Sequence, residues 1–141
     1  MDDLYAMDFC ADLESIGGLF RAQPKLEYPS QPYELNLITV EAELESGAVW
    51  LQYMPAQGWA ELRAVAKPFS VVKLLLSDIS HLSVRKTEQD HFLLIRFARA
   101  KTSNLKLYLR PHVLLFWGNG TPDEEDASEF VREAKLPNAD A

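Results

Sequence analysis

The sequence predicts an α+β fold: an antiparallel sheet of about six or seven strands, with an N-terminal helix before it and a C-terminal helix after it. Three observations carry that prediction. From residue 38 to residue 117, successive runs alternate apolar and polar side chains, the period of a half-buried strand. The connections between these runs are short, which favours antiparallel pairing. Helical spacing is confined to the two ends of the 141-residue chain, so the strands are grouped rather than alternating with helices. A length of 141 residues is that of a single domain, 1–141.

The N-terminal helix is expected over 2–16. Tyr5, Phe9, Leu13 and Ile16 make one apolar stripe, Asp2 and Asp3 suit the positive end of the helix dipole, and Gly17-Gly18 would end it. Residues 21–33 hold Pro24, Pro29 and Pro32 and read as an extended connector. The sheet is expected over 34–117. Its first strand runs from about Leu35 to Glu45, with Ile38, Val40, Ala42 and Leu44 on one face and Thr39, Glu41, Glu43 and Glu45 on the other. Ser46-Gly47 reads as a tight turn into a second strand, Ala48 to Met54. A two-residue loop pairs Glu45 with Ala48, Glu43 with Trp50 and Leu44 with Val49, and sets all the apolar pairs on one face. Trp50 then sits opposite the core, among the three glutamates.

Residues 55–67 fit a short helix or a strand equally well. Beyond them, Val72, Leu74 and Leu76 face inward, as do Leu82 and Val84. His91 to Phe97 is apolar in both phases, as in a central strand covered on both sides. Leu105, Leu107 and Leu109 alternate with Lys106, Tyr108 and Arg110, which implies one wet face. Val113 to Trp117 is the last strand, and Trp59 and Trp117 read as core. The C-terminal helix is expected over 122–135: Thr121 as N-cap, Pro122 at the first position, Glu124 completing a capping box, and Ala127, Phe130, Val131 and Ala134 as the buried stripe.

Charge narrows the function. The formal net charge is −7, which disfavours nucleic acid or an anionic membrane as the main partner. Residues 1–60 have a balance of −8, residues 61–117 of +6 and residues 118–141 of −5. The longest apolar run, Val113 to Trp117, has five residues, far short of the roughly 18 needed to span a bilayer. An acidic start lacks the basic region of a signal peptide. The lone cysteine, Cys10, cannot form an internal disulfide and suits a reducing cytoplasm; it reads as a small buried hydrophobe.

Motifs for chemistry are few. His81, His91 and His112 are not spaced as metal ligands. The sequence holds no GxSxG, P-loop or GxGxxG. Gly118-Asn119-Gly120 precedes a helix whose first turn is filled by Asp123, Glu124, Glu125 and Asp126, which would repel a phosphate. Lys106, Tyr108 and Arg110 have the local look of a single-stranded nucleic-acid platform but read as an ordinary sheet face. No cofactor, metal or catalytic residue is therefore expected. The feature left is the strip Glu41, Glu43 and Glu45 with Trp50. It reads either as an ordinary solvated face or as a docking surface for a basic partner; an exposed Trp50 favours docking because Trp anchors interfaces, whereas burial of Trp50 under the N-terminal or C-terminal helix favours the solvated face.

Residues 71–86 read VVKLLLSDISHLSVRK, a buried strand running into an aspartate-bearing bend and then another strand; HFLLIRFAR and LKLYLRPHVLLFWGN follow. This order, over roughly 70–118, resembles a family of small bacterial immunity proteins that protect cells from polymorphic toxins. The resemblance implies a cytosolic, non-enzymatic binder that occludes a cognate toxin by charge and shape complementarity. An acidic secretion chaperone, or a small ligand-binding or enzyme domain, are the alternatives.

Overall fold

The alternating runs fold as strands, but into two sheets rather than one. A computed structural model of the chain describes residues 6–66, 70–99 and 102–117. Among them are ten strands: β1 (Phe9–Cys10), β2 (Lys25–Leu26), β3 (Ile38–Leu44), β4 (Gly47–Met54), β5 (Trp59–Ala66), β6 (Ser70–Leu76), β7 (Ile79–Lys86), β8 (His91–Phe97), β9 (Leu105–Arg110) and β10 (Leu114–Trp117), with one α-helix, α1 (Leu13–Phe20). One sheet has the order β2-β3-β4-β5-β6 and the other β1-β7-β8-β9-β10. The switch comes at Ser77-Asp78. Asp78 adopts a left-handed conformation (φ 58°), which Asp tolerates better than most residues. Its carboxylate accepts from Arg99 Nε at 2.7 Å. This is the aspartate-bearing bend, and it sends β7 into the second sheet.

The inner faces of both sheets contribute to one apolar core. Ile38, Leu51 and Leu62 come from the first sheet; Leu82, Leu93, Ile95, Leu105 and Leu107 come from the second; all are fully buried. Helix α1 touches β3 of one sheet and β7 and β8 of the other, and inserts Ile16, Leu19 and Phe20. β8 lies at the centre of its sheet, and Phe92 to Ile95 are all buried, as its doubly apolar sequence requires.

The expected helix over 2–16 is corrected. Residues 2–5 lie outside the described residues. Phe9 and Cys10 are extended and pair in parallel with β7, opposite His81 and Leu82. The helix starts only after Asp12, whose carboxylate accepts from the Ser15 N–H at 2.8 Å. That cap competes with helix upstream because Asp12 itself is extended. Gly17-Gly18 does not end the helix; Arg21 does, in the left-handed conformation (φ 54°). Gly17 serves a close approach instead. A Cβ there would lie 3.1 Å from the Ala22 carbonyl oxygen and 3.2 Å from Pro24 Cδ. The expected helix over 122–135 lies outside the described residues.

The 21–33 connector is extended but carries β2, which pairs with β3. Asn36, fully buried, organises it: its Nδ2 donates to the Tyr28 and Gln31 carbonyls at 2.8 and 3.2 Å, and its Oδ1 accepts from the Tyr28 N–H at 2.9 Å. Residues 59–66, ambiguous in sequence, are a strand because β4 and β6 both pair with them.

The hairpin register is two residues away from the expected one. Leu44 pairs with Gly47, so Glu45-Ser46 is the turn; Glu41, not Glu43, faces Trp50. The face assignment survives because a shift of two preserves the alternation. Gly47 is a strand residue by necessity. A Cβ on it would lie 1.9 Å from the Val65 carbonyl oxygen of β5. Gly47→Ala is therefore expected to destabilise the fold by about 3 kcal/mol, read as a lower denaturant midpoint. Three further expectations change. Trp59 is half-buried at the start of β5 rather than core. Trp117 is 42% exposed rather than core; it stacks on Phe97 at 5.7 Å and donates to the Ser103 carbonyl at 2.8 Å. Lys106 is buried rather than wet, its ammonium 5.8 Å from the Phe92 ring centroid.

Candidate functional site

The outer face of the first sheet is built by alternation and pairing alone. Three cross-strand rows run across β3 to β6. The first is Glu41, Trp50, Arg63 and Lys73; the second Glu43, Ala48, Val65 and Val71; the third Thr39, Gln52, Glu61 and Leu75. Glu41 and Glu43 are exposed, and Glu45 is exposed in the turn beside them. Trp50 is half-buried: among the described residues the Arg63 guanidinium lies over its ring, 4.3 Å from the centroid. Such a stack holds both side chains in place. Gln52 Nε2 donates to Thr39 Oγ1 at 3.1 Å.

The row of acids on β3 thus meets a different neighbourhood on β5 and β6. Glu61 is the shared anion there. Its Oε2 lies 2.8 Å from Arg63 Nη2 and 3.7 Å from Lys73 Nζ. One carboxylate therefore serves two cations. Val65 and Val71 on one side of the Arg63–Lys73 row and Leu75 on the other are 40%, 73% and 75% exposed, an apolar strip interrupted by that row, and exposed apolar surface marks interaction sites. The structure brings Glu41, Glu43 and Trp50 together, as the alternation requires, with Glu45 at the rim. Sequence reasoning missed Arg63, Lys73 and the apolar strip. The signal was present in the Glu61, Arg63, Val65 alternation, but it has meaning only once 59–66 is known to be a strand.

The second sheet offers a groove of about 540 Å³ between β1, the start of α1 and the strands β7 and β8. Asp12, His81, Arg85 and Arg96 line it, with Phe9 stacked over His81 at a centroid distance of 6.5 Å. Cys10 forms part of its wall. Burial pushes the Cys10 thiol up to about 11, and a hydrogen bond with Tyr33 offsets only part of that. A thiol so raised is a poor nucleophile at neutral pH. In native protein Cys10 is expected to react with a maleimide at least about tenfold more slowly than in denaturant; equal rates would contradict its packing. Among the described residues no group of three His, Cys, Asp or Glu side chains is placed to hold a metal.

At one end of the second sheet, His91 lies among Lys86, Arg110 and Arg21. Burial first, and then these cations, lower its pKa from the ordinary 6.5. The folded state thus takes up a proton on His91 only at lower pH than the unfolded chain, which does so near 6.5. Stability is complete above that value and falls as pH drops through it. His91→Gln is expected to flatten this part of the profile: between pH 7.5 and 5.5 the urea midpoint should fall less than in wild type.

No protein-family model matches the sequence, and no curated protein matches it. In a comparison with solved structures, the chain matches one chain of a structure described as a contact-dependent growth inhibition toxin–immunity protein complex from Klebsiella pneumoniae 342. The TM-score is 0.63 with 11% sequence identity, over 79% of this chain and 96% of that one. The likeness is one of fold. No helix among the described residues is long and apolar enough to cross a membrane.

Proposed function

We propose that the chain is a non-enzymatic immunity protein, acting in the cytoplasm, that binds a cognate bacterial toxin and blocks it. The observation that carries this reading is the likeness of its two-sheet fold to a chain of a toxin–immunity complex, across nearly the whole of that chain. The residues proposed to make the contact are Glu41, Glu43, Glu45 and Trp50. Trp50 is a rigid amphipathic anchor already held by Arg63, and the exposed acids beside it favour a basic toxin surface.

A toxin held this way binds by steering as well as by packing. Raising the salt from about 0.05 to 0.5 M is expected to slow association at least about tenfold, because the Debye length shrinks below the reach of the acidic row. Stopped-flow association at the two salt concentrations measures it. A rate independent of salt would contradict an acidic docking face and leave only the apolar contribution.

A further inference from the structure

The first sheet ends on β6, and among the described residues no strand pairs with its far side. Natural sheets protect such edges, because a row of open backbone donors and acceptors is a template for another strand. β6 is seven residues long, contains no proline, and carries Val71 and Leu75 at 73% and 75% exposure. Its only charge is Lys73, at the midpoint.

We infer that β6 is a strand-addition site for an extended segment of the toxin, one with a carboxylate facing Lys73 and apolar side chains facing Val71 and Leu75. This rests on the immunity reading and adds where and how the partner docks. Two arguments choose this occupant over a second copy of the chain. Full antiparallel self-pairing of β6 about a two-fold axis would set Lys73 directly against its own copy, and like charges directly opposite are unfavourable. The local charge also leaves room for an acid. Glu61 is the carboxylate shared by Arg63 and Lys73, so this part of the face has one more positive charge than negative. A partner carboxylate opposite Lys73 balances it. Main-chain pairing supplies affinity, and the alternating side chains supply selectivity.

The test uses a direction-independent probe, the peptide acetyl-Thr-Val-Thr-Glu-Thr-Val-Thr-amide, and the same peptide with Lys in place of Glu. Backbone amide shifts of the full chain are followed by NMR at peptide concentrations on the order of 1 mM. The expected result is saturable shifts over residues 71–76, at least about tenfold weaker with the Lys peptide and lost in Val71→Lys with Leu75→Lys. Both sites are exposed, so the variant should keep its melting temperature. Shifts absent from β6, or equal for the two peptides, would overturn the inference. So would a dimer of the chain alone, by sedimentation, that the same variant dissociates. Failure here is separable from failure of the immunity reading. A toxin bound equally well by wild type and by the Val71→Lys, Leu75→Lys variant removes the edge site and leaves the immunity function standing.

Discussion

Trp50→Ala combined with Glu43→Lys is expected to abolish toxin binding while the protein stays folded. The loss should exceed about a hundredfold, about 2.8 kcal/mol, the size expected when an aromatic anchor at an interface is removed. Trp50 does two things on the outer face. It offers ring area to a partner, and it fixes the Arg63 guanidinium above itself at 4.3 Å. Truncation removes the first and releases the second. Glu43 is exposed beside it, so reversing its charge alters the field that the partner meets without touching the core. Neither change reaches the inner face, where Val49 and Leu51 stay packed, so the unfolding midpoint should move little. Titration calorimetry gives the affinity and a thermal melt by circular dichroism gives the fold. An unchanged affinity in a folded variant would remove this surface from the interface.

Phe20→Ala should give the largest loss of stability, about 3–5 kcal/mol. Phe20 is 1% exposed at the end of α1, and Ile16 and Leu19 beside it are fully buried. The helix touches both sheets, so a cavity at Phe20 loosens the element that spans them. Only limited collapse is open to this site, because Arg110 Nη1 donates to the Leu19 carbonyl at 2.6 Å and pins the helix end. Leu75→Ala is the control. At 75% exposure it should change stability by less than about 0.5 kcal/mol. Urea unfolding of the two variants separates them, and a Phe20→Ala protein as stable as wild type would show that α1 is not part of the cooperative core.

Strands were legible wherever one face is dry and the other wet. Ile38 to Leu44 alternates strictly, and its faces are as the alternation requires. The register failed because Gly47 reads locally as a turn residue, whereas its cause is the Val65 carbonyl on a strand eighteen positions on. The N-terminal helix failed for a related reason. Phe9, Leu13 and Ile16 have helical spacing, but the Asp12 cap and the parallel pairing of Phe9 with His81 decide where helix begins. The division into two sheets is not written in any periodicity. It comes at a left-handed residue, Asp78, paired with Arg99. The candidate surface was half legible: Glu41, Glu43 and Trp50 follow from one hairpin, while Arg63, Lys73 and the apolar strip depend on pairings that only the fold supplies.

Neutralisation of a toxin by this chain can be measured in the native host. The tagged chain is used as bait at moderate salt, the captured protein is identified by mass spectrometry, and that protein is then expressed with and without this chain. The expected result is a single stoichiometric partner, in a 1:1 complex that rising salt dissociates. That partner should arrest growth when expressed alone and cease to do so when the chain is present. A partner whose effect on growth is the same with and without the chain would contradict it.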